Sequence, residues 1–218
     1  MSPAATLTDR PTLSASLREG TRAEHGKAES TGFIEALMSG QLTVAAYADL
    51  AAQQWAIYGA LEAASARVGV HPAGASLVFD ELERTTAIEQ DLTFLLGPEW
   101  QRAVTIRPAT RAYVAALSDL GDDVALYAAH AYTRYLGDLS GGQIVKRMLE
   151  RHYGLGPESL AFYTFPEIPK AKPFKDLYRE RLDALPLTEA EVERTVAEAC
   201  VAFRLNSAVF ADLGAVHC

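Results

Sequence analysis

Residues 132–143 read Tyr132-Thr-Arg-Tyr-Leu-Gly-Asp-Leu-Ser-Gly-Gly-Gln143, inside a pattern that otherwise makes one long helix over 123–153. Three glycines, Gly137, Gly141 and Gly142, fall within it. A glycine in a helix interior costs about 1 kcal/mol relative to alanine, so the trio costs about 3 kcal/mol. A helix with that handicap bends, or lets a flat object approach its backbone. Arg134, Gly137, Asp138 and Gly141 are three or four residues apart and share one helix face. Bare backbone, one carboxylate and one guanidinium suit a pocket wall. A close helix crossing with a surface ion pair fits the spacing equally well.

A second constellation lies upstream. Arg18, Arg22, His25 and Glu29 are spaced by four, three and four residues, a narrow stripe on a helix. A histidine with a carboxylate one turn along is the arrangement of an oriented metal ligand. The carboxylate takes the Nδ1 proton and leaves Nε2 as the electron-pair donor. Arg18 lies roughly 10 Å back along such a helix, a reach suited to an anionic group on a ligand whose metal sits at His25. The alternative is a solvated Arg–Glu stripe with a spectator histidine.

Together these segments resemble the haem oxygenases of the soluble bacterial type. The resemblance runs from about Leu13 to Leu213 and is most specific in residues 129–143, AHAYTRYLGDLSGGQ. The segment from Thr21 to Glu29 matches upstream. So do Glu89-Gln-Asp-Leu92, Phe162-Tyr-Thr-Phe165, Phe174-Lys-Asp-Leu-Tyr-Arg179 and Ala202-Phe-Arg-Leu-Asn206. The resemblance implies an all-α, single-domain fold with haem b between a proximal N-terminal helix and a glycine-kinked distal helix. It implies haem as substrate and prosthetic group at once. The ring would be cleaved to biliverdin (the α isomer), carbon monoxide and ferrous iron, using dioxygen and external electrons.

Residue roles follow from the same resemblance. His25 is the proximal iron ligand and Glu29 orients it. Gly137 and Gly141 let the distal backbone lie against the macrocycle, and Gly142 supplies bend or clearance. Asp138 acts through water in oxygen activation, with Arg134, Tyr58 and Asn206 as its polar network. Arg18, Arg22, Lys175 and Arg179, with the hydroxyl of Tyr132, meet the propionates, although family members vary at the position of Arg22. Phe203 packs on the ring. Among the other histidines, His130 is the competitor for iron; without an acidic neighbour one turn on, it reads as structural. His71 falls in a loop, His152 on the surface and His217 in the tail.

Bulk properties fit a soluble helical domain. The chain has 218 residues, 49% of them hydrophobic, and a net charge of −8, which argues against nucleic acid as a partner. No secretory signal pattern is visible and no apolar run looks long enough to span a membrane, so a cytoplasmic monomer without membrane attachment is expected. Cys200 and Cys218 form no metal-ligand spacing. Residues 1–11 read as a disordered tail and 12–215 as the domain. Helices are expected at 12–29, 32–39, 43–68, 77–96, 109–120, 123–153, 171–185 and 189–213.

Three rival readings have distinct requirements. A haem carrier or sensor would use His25 and the cations without the distal network. A di-iron protein needs paired Glu-x-x-His motifs, which are missing. The thiamin-degrading relatives of this architecture need a pocket cysteine, for which only Cys200 qualifies. With no flavin or iron–sulfur motif in the chain, electrons must come from a ferredoxin, a flavodoxin or a reductase.

Overall fold

The computed structural model describes residues 10–218, apart from the side chain of Glu29. Twelve α-helices occur among them: α1 (Leu13–Gly20), α2 (Arg22–Glu29), α3 (Gly32–Met38), α4 (Val44–Val68), α5 (Pro72–Ala75), α6 (Thr85–Leu96), α7 (Trp100–Ala103), α8 (Pro108–Asp119), α9 (Val124–Gly137), α10 (Gln143–Tyr153), α11 (Ala171–Asp183) and α12 (Glu189–His217). Between α9 and α10 the chain makes one π-helical turn, Asp138–Gly142. No β-strand occurs among the described residues. Most of the proposed tail, residues 1–9, lies outside the described residues. Arg10 is held by an ion pair to Glu189 at 2.8 Å.

Local chemistry explains where the long helices begin. The Thr43 hydroxyl accepts from the Ala46 amide at the start of α4, and the Asp123 carboxylate accepts from Ala125 and Leu126 at the start of α9. Thr188 and Glu191 form a reciprocal capping box on α12. Gly154, at φ 66, closes α10 in the left-handed region that glycine enters without strain.

Packing is organised by α12 and α4. α12 lies along α9 and α8 and also touches α1, α2 and α3, while α4 packs on α6, α8 and α9. The buried residues form one continuous cluster from Leu13 to Leu213, with Leu17, Phe33, Leu61, Tyr113 and Tyr127 among them. An 18-residue window of α12 has mean hydropathy 1.4, enough by length and composition to cross a membrane, which the sequence reading had overlooked. Only 28% of that window is buried; α12 divides its apolar residues between the packed core and the cavity wall, where Phe203 and Phe210 lie.

Four expected elements differ. The helix placed at 12–29 is two helices, broken at Thr21 (φ −96, ψ −2). The Thr21 hydroxyl bonds back to the Leu17 carbonyl at 2.7 Å, a bond that bends helices. Gly20 lies so close to Val196 that a Cβ there would meet its Cγ1 at 2.3 Å. The helix placed at 77–96 starts only at Thr85, because the chain before it makes a 3-10 turn, Asp80–Leu82. The distal helix is interrupted by the π turn. The last helix runs through His217, which is not in a tail: its Nε2 lies 2.8 Å from Asp49 Oδ2.

Two of the motifs singled out in the sequence meet. Asp91 of the Glu89-Gln-Asp-Leu92 run is fully buried, and its carboxylate accepts the backbone amides of Ala161 (2.7 Å) and Phe162 (2.9 Å). Buried Arg84 donates to the carbonyls of Thr164 (2.8 Å) and Leu82 (3.2 Å), with its guanidinium 4.1 Å from the Phe165 ring centroid. These two side chains tie the 161–165 turn to the base of α6. Asp91→Ala would leave one buried and one part-buried amide without partners, each worth about 1–3 kcal/mol when buried. Urea unfolding should show a loss of about 3 kcal/mol; a loss below about 1 kcal/mol would mean that packing alone holds the turn.

Candidate functional site

A cavity of about 1000 Å³ opens between α1–α2, α9 with its π turn, and α12. That is the upper end of the range for small-molecule and cofactor sites, about 300–1,000 Å³. Of the expected site residues, Arg18, Arg22, His25, Tyr132, Arg134, Gly137, Asp138, Gly141, Gly142, Arg179, Phe203 and Asn206 line it.

The glycine face decides between the two readings of its spacing. A Cβ on Gly137 or Gly141 would meet nothing within 4 Å. These glycines therefore face open space and do not serve a helix crossing. Gly142 differs, since a Cβ there would come within 3.3 Å of the Tyr163 ring. Its bare backbone leaves room for that ring. The π turn widens the backbone at this point, a common feature of functional sites.

The distal polar groups are buried and interlocked. Tyr58 donates its hydroxyl proton to Asp138 Oδ2. Arg134, only 6% exposed, donates from Nη1 to Asn206 Oδ1 at 2.7 Å and from Nη2 to Gln54 Oε1. Its guanidinium carbon stands 4.7 Å from the Tyr58 ring centroid. Arg134 is thus a buried site cation, and the surface alternative for it is excluded. Burial pushes the Asp138 carboxyl up to about 6, against the opposing pull of Arg134, the Tyr58 hydrogen bond and Arg84. Tyr58 joins the polar network through that bond to Asp138. It is fully buried behind Asp138 and does not line the cavity.

On the other wall, His25 is exposed on α2 and meets the Phe203 ring edge-on, centroids 5.6 Å apart. The side chain of Glu29, its expected orienting partner, lies outside the described residues. His130 is fully buried and paired: its Nε2 lies 2.9 Å from Glu198 Oε1 and its Nδ1 3.5 Å from the Tyr113 hydroxyl. It is structural, as expected, and its acidic partner comes from α12 instead of its own helix.

The cations gather at the mouth. Burial raises the Tyr132 phenol, and the charges of Arg179 and Arg18, which line the same cavity, oppose that rise. Arg179 is also paired with Asp176 at 2.9 Å, and Arg22 with Glu19 at 2.5 Å. Lys175 stands outside the lining. Its Nζ donates to Ser140 Oγ at 2.8 Å, and Ser140 does line the cavity. Cys200 is not part of the cavity; its thiol faces the Gly20 carbonyl at 3.4 Å.

These features match the demands of a haem. A planar macrocycle needs a flat, side-chain-free surface, which Gly137 and Gly141 leave open. Its iron needs a neutral imidazole, and its two propionates need cations at the edge. Sequence reasoning missed Gln54, Ser140, Phe162 and Tyr163 in the wall. Ser140 lies in the 129–143 run and Phe162 and Tyr163 in the matched 162–165 segment, none with a role attached, and Gln54 is one of two adjacent glutamines in the alanine-rich run of α4.

Comparison with known proteins agrees. The family model described as Heme oxygenase matches residues 11–212. Heme oxygenase 1 of Homo sapiens is 42% identical over 205 residues, covering 92% of this chain and 71% of that protein. The crystal structure of heme oxygenase-1 from the cyanobacterium Synechocystis in complex with heme superposes with a TM-score of 0.89 at 38% identity, over 94% of this chain and 93% of that one. Heme oxygenase-2 from the same organism, in complex with heme and NO, gives a TM-score of 0.91 at 36% identity, over 94% and 86% of the two chains. With a family match spanning nearly all of its length, and with the glycine face and imidazole wall that a haem requires, the chain belongs to the haem oxygenase family.

Proposed function

We propose that this chain cleaves haem, with dioxygen and electrons from a separate donor, to biliverdin, carbon monoxide and ferrous iron. The observation that carries the reading is the open glycine face of Gly137 and Gly141 beside a buried, hydrogen-bonded Asp138. A haem carrier needs His25 and the cations but has no use for a carboxylate kept buried at such cost. We place the protein in the cytoplasm as a monomer, with a ferredoxin, a flavodoxin or a reductase as donor.

The residues divide the work by position. Bound haem supplies the iron that takes dioxygen and the ring that is cut. His25 offers its imidazole to the iron, and Phe203 packs beside that imidazole. Arg18 and Arg179 with Tyr132 hold the propionates, assisted by Arg22 and by Lys175 through Ser140, and so set the in-plane rotation of the ring. We expect that seating to give the α isomer. Gly137 and Gly141 keep side chains off the distal face. Asp138 holds and passes a proton there, steadied by Tyr58 and by the charge of Arg134.

Three tests follow. Gly137→Ala and Gly141→Ala should each fold with stability equal to native or higher by about 0.5–1 kcal/mol, because the helix gains and no neighbour is met. Both should bind haem more weakly in an absorbance titration. Native haem affinity in both would show that the macrocycle does not lie on this face.

His25→Ala should retain some haem affinity through ring burial and propionate pairing but lose biliverdin formation, with partial recovery on adding imidazole. Full activity without imidazole would move the ligand to another residue.

Asp138→Asn should bind haem like native yet lose biliverdin formation in the presence of ascorbate or a reductase. Its stability should also differ with pH. The folded carboxyl titrates near 6, above an unfolded value of about 3.9, so protonation favours the folded state. That contribution is complete below about pH 4 and is lost as pH rises through about 6. Asp138→Asn should therefore exceed native by up to about 3 kcal/mol at pH 7, with the two converging in acid. Urea unfolding across pH 4–8 measures this, and parallel curves would refute the cost assigned to Asp138.

A further inference from the structure

α4 carries two adjacent glutamines that are both buried, Gln53 at 0% and Gln54 at 8% exposure. Gln53 has an architectural task. Its Nε2 donates to Asp49 Oδ1 at 2.7 Å and to the Thr105 carbonyl at 3.1 Å, while its Oε1 accepts the Arg107 amide at 2.9 Å. It pins the loop that leads into α8. Gln54 points elsewhere. It lines the cavity, and its Oε1 accepts from Arg134 Nη2. A guanidinium only donates, so the amide must turn its oxygen toward Arg134, and its orientation is fixed by chemistry. Asn206 makes the same kind of bond to Nη1 at 2.7 Å.

Both acceptors of Arg134 are therefore neutral amide oxygens, supplied by α4 and α12, and the face of the guanidinium rests on Tyr58. A carboxylate in either place would form an ion pair and cancel the charge locally. Amide oxygens satisfy the donors and leave the charge intact. Arg134 Nε is buried and has no partner, so these two bonds carry the orientation of the group. We propose that Gln54 is a positioning residue for haem cleavage: its side-chain carbonyl, with Asn206, holds Arg134 against Tyr58 as an unneutralised cation that acts on Asp138 one helical turn away. The inference rests on the haem-cleaving reading of the cavity, but its central measurement needs no haem.

The experiment follows the Asp138 carboxyl carbon by NMR in protein labelled with carbon-13 aspartate, with Asp138→Asn assigning the resonance. The charged and titratable groups facing Asp138 are Arg134 on α9, Tyr58 on α4, Arg84 before α6, Tyr113 on α8, and Tyr163 on the turn after α10. The native midpoint should lie near 6. In Gln54→Leu the guanidinium loses an anchor and the midpoint should rise by about one pH unit. In Gln54→Glu, which keeps the shape, the new carboxylate neutralises Arg134 and the midpoint should rise at least as far. With haem, both variants should form biliverdin about tenfold more slowly than native, at unchanged haem affinity.

A lower melting temperature with an Asp138 midpoint within about 0.2 of native in both variants would overturn the proposal and leave Gln54 as packing. If Gln54→Leu fails to fold, the Gln54→Glu midpoint decides alone. Absence of biliverdin from the native protein would instead overturn the functional reading.

Discussion

Arg134 is a full positive charge held inside the protein where three helices meet. Bringing such a group out of water costs several kcal/mol unless its donors are met. Here α4 meets one with Gln54, α12 meets another with Asn206, and Tyr58 offers a ring face. The same three contacts cross-link α4, α9 and α12. The distal chemistry and the central packing are thus not separate layers. Loss of the acceptors would strand the cation and loosen the helices together, and loss of the cation would leave Asp138 without the charge that offsets its burial.

Much of this was legible in the sequence, for a physical reason. Helix faces are local: a +3/+4 spacing puts Arg134, Gly137, Asp138 and Gly141 on one side whatever the rest of the chain does. Caps are local too, so Thr188 with Glu191 could be read directly. What escaped notice depends on distant partners. The close approach to Gly20, beside the break at Thr21, comes from Val196 on α12. The anchoring of His217 requires Asp49, far away in the chain. The burial of Tyr58 behind Asp138 is set by how α4 packs on α9. The partner of His130 comes from α12, which no inspection of its own helix reveals. Gln54 offered a faint sign, a polar pair in an apolar run, but its meaning appears only beside Arg134.

The cavity is bounded by local disadvantages kept in place by distant contacts. Gly137 and Gly141 weaken their helix, the π turn departs from regular hydrogen bonding, and the Asp138 carboxyl is buried. The support lies outside the cavity, in the Asp91 and Arg84 bonds to the 161–165 turn, whose Tyr163 presses on Gly142. This is the usual division between a site that gives up stability and a scaffold that restores it.

The position of α12 in the chain has a consequence for how the protein is made. Its partners α1, α2, α3, α8 and α9 all precede it. At about 5–20 residues per second, the stretch from the end of α9 to the end of α12 takes on the order of ten seconds to synthesise. Throughout that interval the apolar seam of α9 and α8 has no cover. The nascent chain must wait in a partly collapsed state, open to holdase chaperones and to other nascent chains of its kind. Any premature stop before α12 would leave a protein whose stickiest surface is permanently bare. A ligand of the cavity cannot shorten this wait, because Phe203 and Asn206, which line that cavity, arrive on the same late helix.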